Sequence, residues 1–437
     1  MKTFLTLHAI LTFYTFNLFA QWQPDVRLTN NTAASSTSFN NSWCIASSAD
    51  FVHAVWYDLR DGNREIYYKR SADGGLSWGA DTRLTNNPAN SWYPSISVSG
   101  LVVHIVWQDN RDGNEEIYYK RSTDAGLSWG TDTRLTNNFG SSLSPSCAVS
   151  ASEVHVVWYE DRDANNEIYH KSSSDGGVSW ATDKRLTNDL SDSYGSTVSV
   201  SGLAVHVAWQ DNRDSNYEIY HKRSTDGGIS WGTELRLTNN SAFSRYPSLS
   251  ATGSIVHILW EDFRGGNFNI YYKRSTDGGI SWTVDTPITI DSADSYHPSL
   301  SVSGSVLHAV WHDNRVSNSN IYYKRSTDGG ISWQADIPLT ANFATAVAAS
   351  VAVSGQVVHV IWYDNREGNN EIYYKRNPTG NSVGIININS EVPVDFLLLQ
   401  NYPNPFNPTT KINFQLTMFN FVSLKVYDIL GNEIESL

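Results

Sequence analysis

From Val103 the chain reads VHIVWQDNRDGNEEIYYKRS: an apolar run, a polar knot, then a second run in which apolar and polar positions alternate. Val103–Trp107 and Glu116–Ser122 (EIYYKRS) are rich in β-branched and aromatic residues and too short for helices, which predicts two strands. The Asp/Asn/Gly cluster between them favours a turn, so the two strands form a hairpin. Upstream, Pro94–Ser99 (PSISVS) alternates with period two and ends at the turn pair Ser99-Gly100. Downstream, the stretch around Thr133–Thr136 (TRLT) predicts a fourth strand.

The pattern recurs. Trp107 belongs to a series, Trp56, Trp107, Trp158, Trp209, Trp260, Trp311 and Trp362, spaced by 51 residues. A second series, Trp78, Trp129, Trp180, Trp231, Trp282 and Trp333, keeps that period with one member fewer. A fixed period near fifty, built of short strands and tight turns, marks a propeller blade. The expected fold class is all-β, a seven-bladed β-propeller over residues 21–376. The first three strand types occur seven times, but the fourth follows a linker only six times, beginning at Arg83, Arg134, Arg185, Arg236, Pro287 and Pro338. An orphan copy, VRLTNN at 26–31, precedes every complete unit. This N-terminal strand is expected to complete the last blade and remove the open edge of the array.

Between the third and fourth strands lies KRSTDGGISW, repeated word for word at 222–231, 273–282 and 324–333, with variants from Lys69, Lys120 and Lys171. Its Ser-x-Asp-x-Gly-x-x-Trp spacing resembles the Asp-box (BNR) repeats of the sialidase-like propeller families. The residue types argue for a structural joint. Serine and the box aspartates (Asp73, Asp124, Asp175, Asp226, Asp277, Asp328) can hold turn amides, glycine permits positive φ, and tryptophan buries a large ring. In an up-and-down blade the boxes share one end with the first-to-second turns. The second-to-third hairpins and the blade-to-blade crossings lie at the other. The resemblance implies that the boxes sit away from any substrate pocket.

Composition narrows the picture. Aromatic residues make up 13% of the 437 and charged residues 17%, with a formal charge of −13. An acidic chain without a basic stripe excludes nucleic acid as a partner. Residues 1–20, with Lys2 followed by an apolar run, read as a Sec signal peptide, which places the protein outside the cell or on its surface. Cys44 and Cys147 fall on opposite faces of equivalent strands, so they are expected as small buried hydrophobes rather than a disulfide. No metal or cofactor is expected, and a monomer is.

Symmetry sorts the candidate chemistry. His53, His104, His155, His206, His257, His308 and His359 form a complete set on the second strand, as interior hydrogen-bonding residues would. The hairpins carry Asp-x-Arg, with Arg60, Arg111, Arg162, Arg213, Arg264, Arg315 and Arg366, and Glu160 in place of the third acid. A calcium loop fits poorly, because arginine occupies a ligand position. Two readings stand: local pairs bracing each hairpin, or a ring of cations on the binding face. Function should lie where the repeats differ. The crossings carry Trp92 and Tyr93, Tyr194, Arg245 and Tyr246, then Tyr296 and His297, while His312 is unique just after its repeat tryptophan. Exposed aromatics at a channel mouth stack on sugar rings or meet a protein partner, and otherwise pack between blades.

Sialidases of the resembling kind use an arginine cluster, a tyrosine nucleophile with an acid partner and a carboxylic acid/base. They also have an Arg-Ile-Pro motif and six blades. This chain has no such triplet and seven units, so only the boxes carry over and no catalytic residue does. After a linker at 377–395, QNYPNPFNP at 400–408 and the region 396–437 resemble the start of the type A sorting domain of the type IX secretion system, an Ig-like β module. The resemblance implies passage through that machinery, and the 437-residue chain is expected to hold only part of the module. Three functional readings follow: a non-catalytic exported propeller binding a glycan or a cell-surface protein, a sialidase-like exo-glycoside hydrolase acting on sialylated glycans, or another polysaccharide-degrading propeller enzyme.

Overall fold

Seven antiparallel sheets follow one another along the chain in a computed structural model that describes residues 22–39, 43–341 and 343–381. It also describes the backbone of Ile10–Tyr14, Leu397–Leu398, Phe414–Gln415, Phe421–Tyr427 and Glu433–Ser436. Two compact units result, Gln21–Val383 and a second formed by Met1–Ala20 with Gly384–Leu437. In the second, Phe421–Tyr427 pairs antiparallel with Ile10–Tyr14 and with Glu433–Ser436. Beyond these backbone strands and residues 377–381, the signal segment, linker and sorting module expected from the sequence lie outside the described residues.

In the first unit the second blade is typical: Ser91–Ser99, Val102–Asp109, Glu116–Ser122 and Thr133–Arg134 lie side by side in chain order. The first strand starts earlier than Pro94, because the register shifts between Trp92 and Ser95 and a bulge absorbs the proline. In the first blade this strand is split into Ser35–Ser36 and Ile45–Ser48. The last blade takes Val26–Arg27 as its fourth strand, paired with Tyr374 and Tyr373 of Glu371–Asn377. A seven-bladed propeller closed by its N-terminal strand is therefore the observed fold.

The second-strand tryptophans, from Trp56 to Trp362, are 0% exposed and fill the blade interfaces. Around the axis, serine hydroxyls of one first strand accept amides of the next: Cys147 N to Ser95 Oγ at 3.2 Å, Ala251 N to Ser199 Oγ at 2.9 Å, Leu300 N to Ser248 Oγ at 3.1 Å. Both cysteines are free and buried in different blades, and burial pushes the Cys44 thiol up to about 11.

The histidine set forms one side of a joint. Each bonds an aromatic of the third strand: His53 to Tyr68 at 2.6 Å, His104 to Tyr119 at 2.8 Å, His155 to His170 at 3.0 Å, His206 to His221 at 3.1 Å, His257 to Tyr272 at 2.7 Å, His308 to Tyr323 at 2.8 Å, His359 to Tyr374 at 2.7 Å. The box of the next blade then closes over that aromatic. Trp129 meets Tyr68 edge-on at 4.9 Å, and Trp180, Trp231, Trp282 and Trp333 meet Tyr119, His170, His221 and Tyr272 in the same way. Tyr323 faces the blade that has no box. Trp22 from the N-terminal segment packs edge-on against it at 4.9 Å, and Asn381 Oδ1 lies 3.1 Å from His308 Nε2. The two ends of the propeller chain thus assemble a substitute box from separate pieces.

Within a box, Asp73 accepts from Ser77 N at 2.9 Å and from Ser71 Oγ at 2.7 Å. The Ser77 bonds, then that of Ser71, hold its exposed carboxyl down at about 2, and the equivalent serines hold Asp124, Asp175, Asp226 and Asp277 below the ordinary carboxylate range. A carboxyl depressed in the fold stabilises fully above its unfolded pKa, about 4, and that contribution is lost as pH falls through the folded value. Near-UV circular dichroism should therefore hold steady down to about pH 4 and then decay towards pH 2. A signal unchanged at pH 2 would refute the box bonds as a stability term.

Candidate functional site

Three rows of positions converge on the end of the channel where the crossings lie, and all three break the repeat. In six of the seven blades the bulge places one described residue in the left-handed region: Tyr93, Ser144, Gly195, Tyr246, His297 and Ala348, with φ between 49° and 57°. The residue before it is Trp92, Leu143, Tyr194, Arg245, Tyr296 or Val347. The residue after each repeat tryptophan is Tyr57, Gln108, Tyr159, Gln210, Glu261, His312 or Tyr363. The third row steadies the first across blade boundaries. Gln108 Oε1 accepts Ser144 N at 2.9 Å, Gln210 Oε1 accepts Tyr246 N at 2.9 Å, and Glu261 Oε2 accepts His297 N at 3.0 Å. Bulge backbones are thereby fixed while their side chains turn to the mouth.

The rows enclose a cavity of about 360 Å³. Its walls carry the rings of Phe39, Tyr93, Tyr159, Tyr194, Tyr217 and Tyr246, and its polar groups come from Ser144, Gln210 and Arg245. Tyr194 stands edge-on to Tyr159 at 5.6 Å and tilted to Tyr217 at 6.1 Å. Burial raises the phenols of Tyr159, Tyr194 and Tyr246 above their ordinary value, so all three are protonated at neutral pH. Such rings offer apolar faces and neutral hydroxyls.

Arg245 is the one cation among the described lining residues. Its Nε donates to Glu261 Oε1 at 2.8 Å, and its guanidinium lies 4.2 Å from the Phe268 ring centre and 5.4 Å from that of Tyr246. Glu261 is 0% exposed. Burial, only partly offset by Arg245 and the His297 amide, pushes its carboxyl up to about 7.

Four of the candidates read from the sequence, Tyr93, Tyr194, Arg245 and Tyr246, line this cavity together. Tyr296, His297 and His312 form an adjoining cluster: His297 lies 4.4 Å from Tyr246 and 5.3 Å from His312, and Tyr296 lies 5.6 Å from His312. Burial lowers both histidines, His312 to about 3, so both are neutral at physiological pH. Trp92 stands apart, under the Arg64 guanidinium at 5.2 Å. Sequence reading missed Glu261, Gln210 and Tyr159, although the row that singled out His312 contains all three.

The arginine ring has a different arrangement. Each guanidinium carries at least two carboxylates, and Arg213 and Arg315 a third, Asp189 and Asp291: Arg60 pairs with Asp58 at 2.6 Å and Asp81 at 2.7 Å, Arg111 with Asp109 and Asp132, Arg162 with Glu160 and Asp183, Arg213 with Asp211 and Glu234. Arg264 pairs with Asp262 and Asp285, Arg315 with Asp313 and Asp336, and Arg366 with Asp364 and Asp25. All seven also sit 4.0–4.5 Å over a third-strand tyrosine ring. The paired acid is itself a hub: Asp58 accepts from Ser35 Oγ, Trp56 Nε1 and Arg60. These arginines brace the hairpins and present no unpaired cation ring. Among the described residues no group of three or more His, Cys, Asp or Glu side chains is arranged to hold a metal ion.

No family model matches the chain. It is 25% identical over 285 residues to the xyloglucanase Xgh74A of Acetivibrio thermocellus, a match that takes in 61% of this chain and 28% of that protein. The chain thus spans under a third of the length of the relative it matches. Among solved structures, the polysaccharide lyase Uly1 superposes with a TM-score of 0.57 at 8% identity, covering 82% of this chain and 99% of that one. The endosialidase of phage phi92 superposes with a TM-score of 0.50 at 10% identity, over 95% of this chain and 78% of that one. At these identities the likenesses establish the β-propeller fold alone.

Proposed function

We propose that the protein is an exported, non-catalytic propeller that binds a glycan in the tyrosine-lined cavity at the crossing end of the channel. The observation that carries this reading is the cavity itself: six aromatic rings and three hydrogen-bonding side chains around about 360 Å³, room for one or two sugar residues. Sugars present apolar C–H faces to aromatic rings and hydroxyls to amides and guanidinium groups, and this wall offers both. The relatives support it, since xyloglucanase, polysaccharide lyase and endosialidase are all names of carbohydrate-active proteins. The apolar start of the chain and its resemblance to the sorting module support an extracellular or cell-surface setting. Glu261, the cavity's neighbouring carboxyl, is fully buried with both oxygens engaged, which disfavours a role as acid or base against a substrate.

Binding of a panel of soluble polysaccharides and their oligosaccharides by calorimetry tests the reading, with reducing ends and unsaturated uronates assayed in the same samples. Tyr194→Ala and Tyr246→Ala should each weaken binding by about tenfold, corresponding to the loss of about 1–1.5 kcal/mol of ring contact. Trp92→Ala, outside the cavity, should leave affinity unchanged. Cleavage products that disappear with the cavity variants would replace the binding reading with one of the two enzyme readings.

A further inference from the structure

The buried partner of Arg245 bears on which glycans the cavity accepts, an inference that rests on the glycan reading above. Among the described cavity residues the only charge is that of Arg245, and its Nε–H is committed to Glu261 at 2.8 Å. No described residue accepts a hydrogen bond from either Nη group, so a planar fork of donors stays available to an oxyanion. The guanidinium lies 4.2 and 5.4 Å from the ring centres of Phe268 and Tyr246, neighbours that limit where it can move. Its charge is nevertheless offset by Glu261, which is 0% exposed and cannot be screened by solvent.

A ligand anion seated on that fork therefore shares one guanidinium with Glu261. Two negative charges then face one cation, and the buried carboxylate, which solvent does not screen, is disfavoured in its ionised form. Among the described residues no second cation compensates it. Asp294, from the following crossing, adds negative charge, His297 and His312 are neutral, and the phenols of Tyr246 and Tyr296 are protonated. The His297 amide gives a hydrogen bond but no charge. The remaining way to discharge the carboxylate is a proton from solvent.

We propose that Arg245 is the anion-binding group of the cavity and Glu261 its positioning residue, so that a glycan bearing a carboxylate or sulfate is captured together with one proton. Glu261, with its carboxyl already raised to about 7, takes that proton readily near neutrality. Neither ligand group titrates between pH 6 and 9, so the pH dependence of binding belongs to the protein. Affinity is flat below about pH 7 and falls by about tenfold per pH unit above it.

The test is calorimetry on the full chain from pH 6 to 9, in buffers of different ionisation enthalpy, with a galacturonate oligomer, a sulfated galactan oligomer and a neutral xyloglucan oligosaccharide. An anionic ligand bound with uptake of about one proton at pH 8 supports the proposal, and the oligomer that shows it identifies carboxylate or sulfate as the source. Glu261→Gln should then bind with wild-type low-pH affinity and no pH dependence. If that variant does not fold, proton uptake by the wild type decides alone. Anionic binding without proton uptake, or binding of the neutral oligosaccharide only, overturns the proposal and leaves the glycan reading standing. Binding of none of the three, nor of any glycan in the wider panel, overturns both.

Discussion

Alanine at Gly126 will destabilise the propeller by about 2–4 kcal/mol. The residue has φ +80°, and a Cβ built there stands 1.9 Å from Tyr68 Oη and 2.6 Å from Cζ. The ring cannot step aside. Tyr68 is 1% exposed, bonded to His53 at 2.6 Å and capped by Trp129 at 4.9 Å. Gly100→Ala is the internal control: φ is +60° but nothing lies within 4 Å of its Cβ, so only the backbone term, about 1 kcal/mol, should appear. Urea denaturation of the two variants separates strain from collision. Equal losses would mean that the blade joint yields freely and that the box glycine is there for its turn alone.

The second large effect is expected at the seam. Glu371 is 0% exposed and accepts from Arg27 Nη2 at 2.8 Å, Asn31 N at 3.1 Å, Asn369 Nδ2 at 3.1 Å and from Thr29 Oγ1. Glu218 has three of these four partners in the fourth blade, with Arg236 at 2.9 Å, Asn240 N at 3.0 Å and Asn216 at 3.1 Å, and lacks the threonine hydroxyl. Removing either carboxylate strands buried donors and an arginine, so both alanine variants should lose about 3–5 kcal/mol. Their failure modes differ. Strands three and four of the fourth blade are joined through the box at 224–231, whereas residues 22–31 reach the last blade with no covalent tie to it. Limited proteolysis should clip the N-terminal segment of Glu371→Ala under conditions where Glu218→Ala stays whole. If both are cut at the same rate, the seam is no weaker than a covalent blade.

These residues also show what the chain discloses unaided. A repeat of 51 residues makes blade number, strand order and the closing strand at 26–31 legible, because each follows from counting and alternation. The seven histidines and the Asp-x-Arg pairs are legible as structure for the same reason. Trp22 is legible by alignment, standing five residues before Arg27 in WQPDVRLT as Trp78 stands before Arg83 in WGADTRLT, but a strict 51-residue count steps over it. The bulge was hidden differently. Alternation stops at Pro94, and Tyr93, Tyr246 and His297 are residue types that seldom signal a left-handed backbone, so only the cross-strand register reveals it. Tyr93, Tyr194, Arg245 and Tyr246 were found by asking where repeats disagree. Glu261 is masked because it sits between the two repeating residues of its motif, Trp260 and Asp262.

The bulge row has a consequence for how such a molecule can diversify. Its amides are tied down from the preceding blade by Gln108, Gln210 and Glu261, and the same backbone shape carries Tyr, Ser, Gly, Tyr, His and Ala in successive blades. The joints that hold the ring, by contrast, are made at the opposite end by boxes and third-strand aromatics. Mutation at the mouth is therefore decoupled from mutation at the joints. A lineage, or an engineer, can exchange the bulge side chains that line the cavity, those of Tyr93, Ser144 and Tyr246, and reshape its wall while the melting temperature scarcely moves.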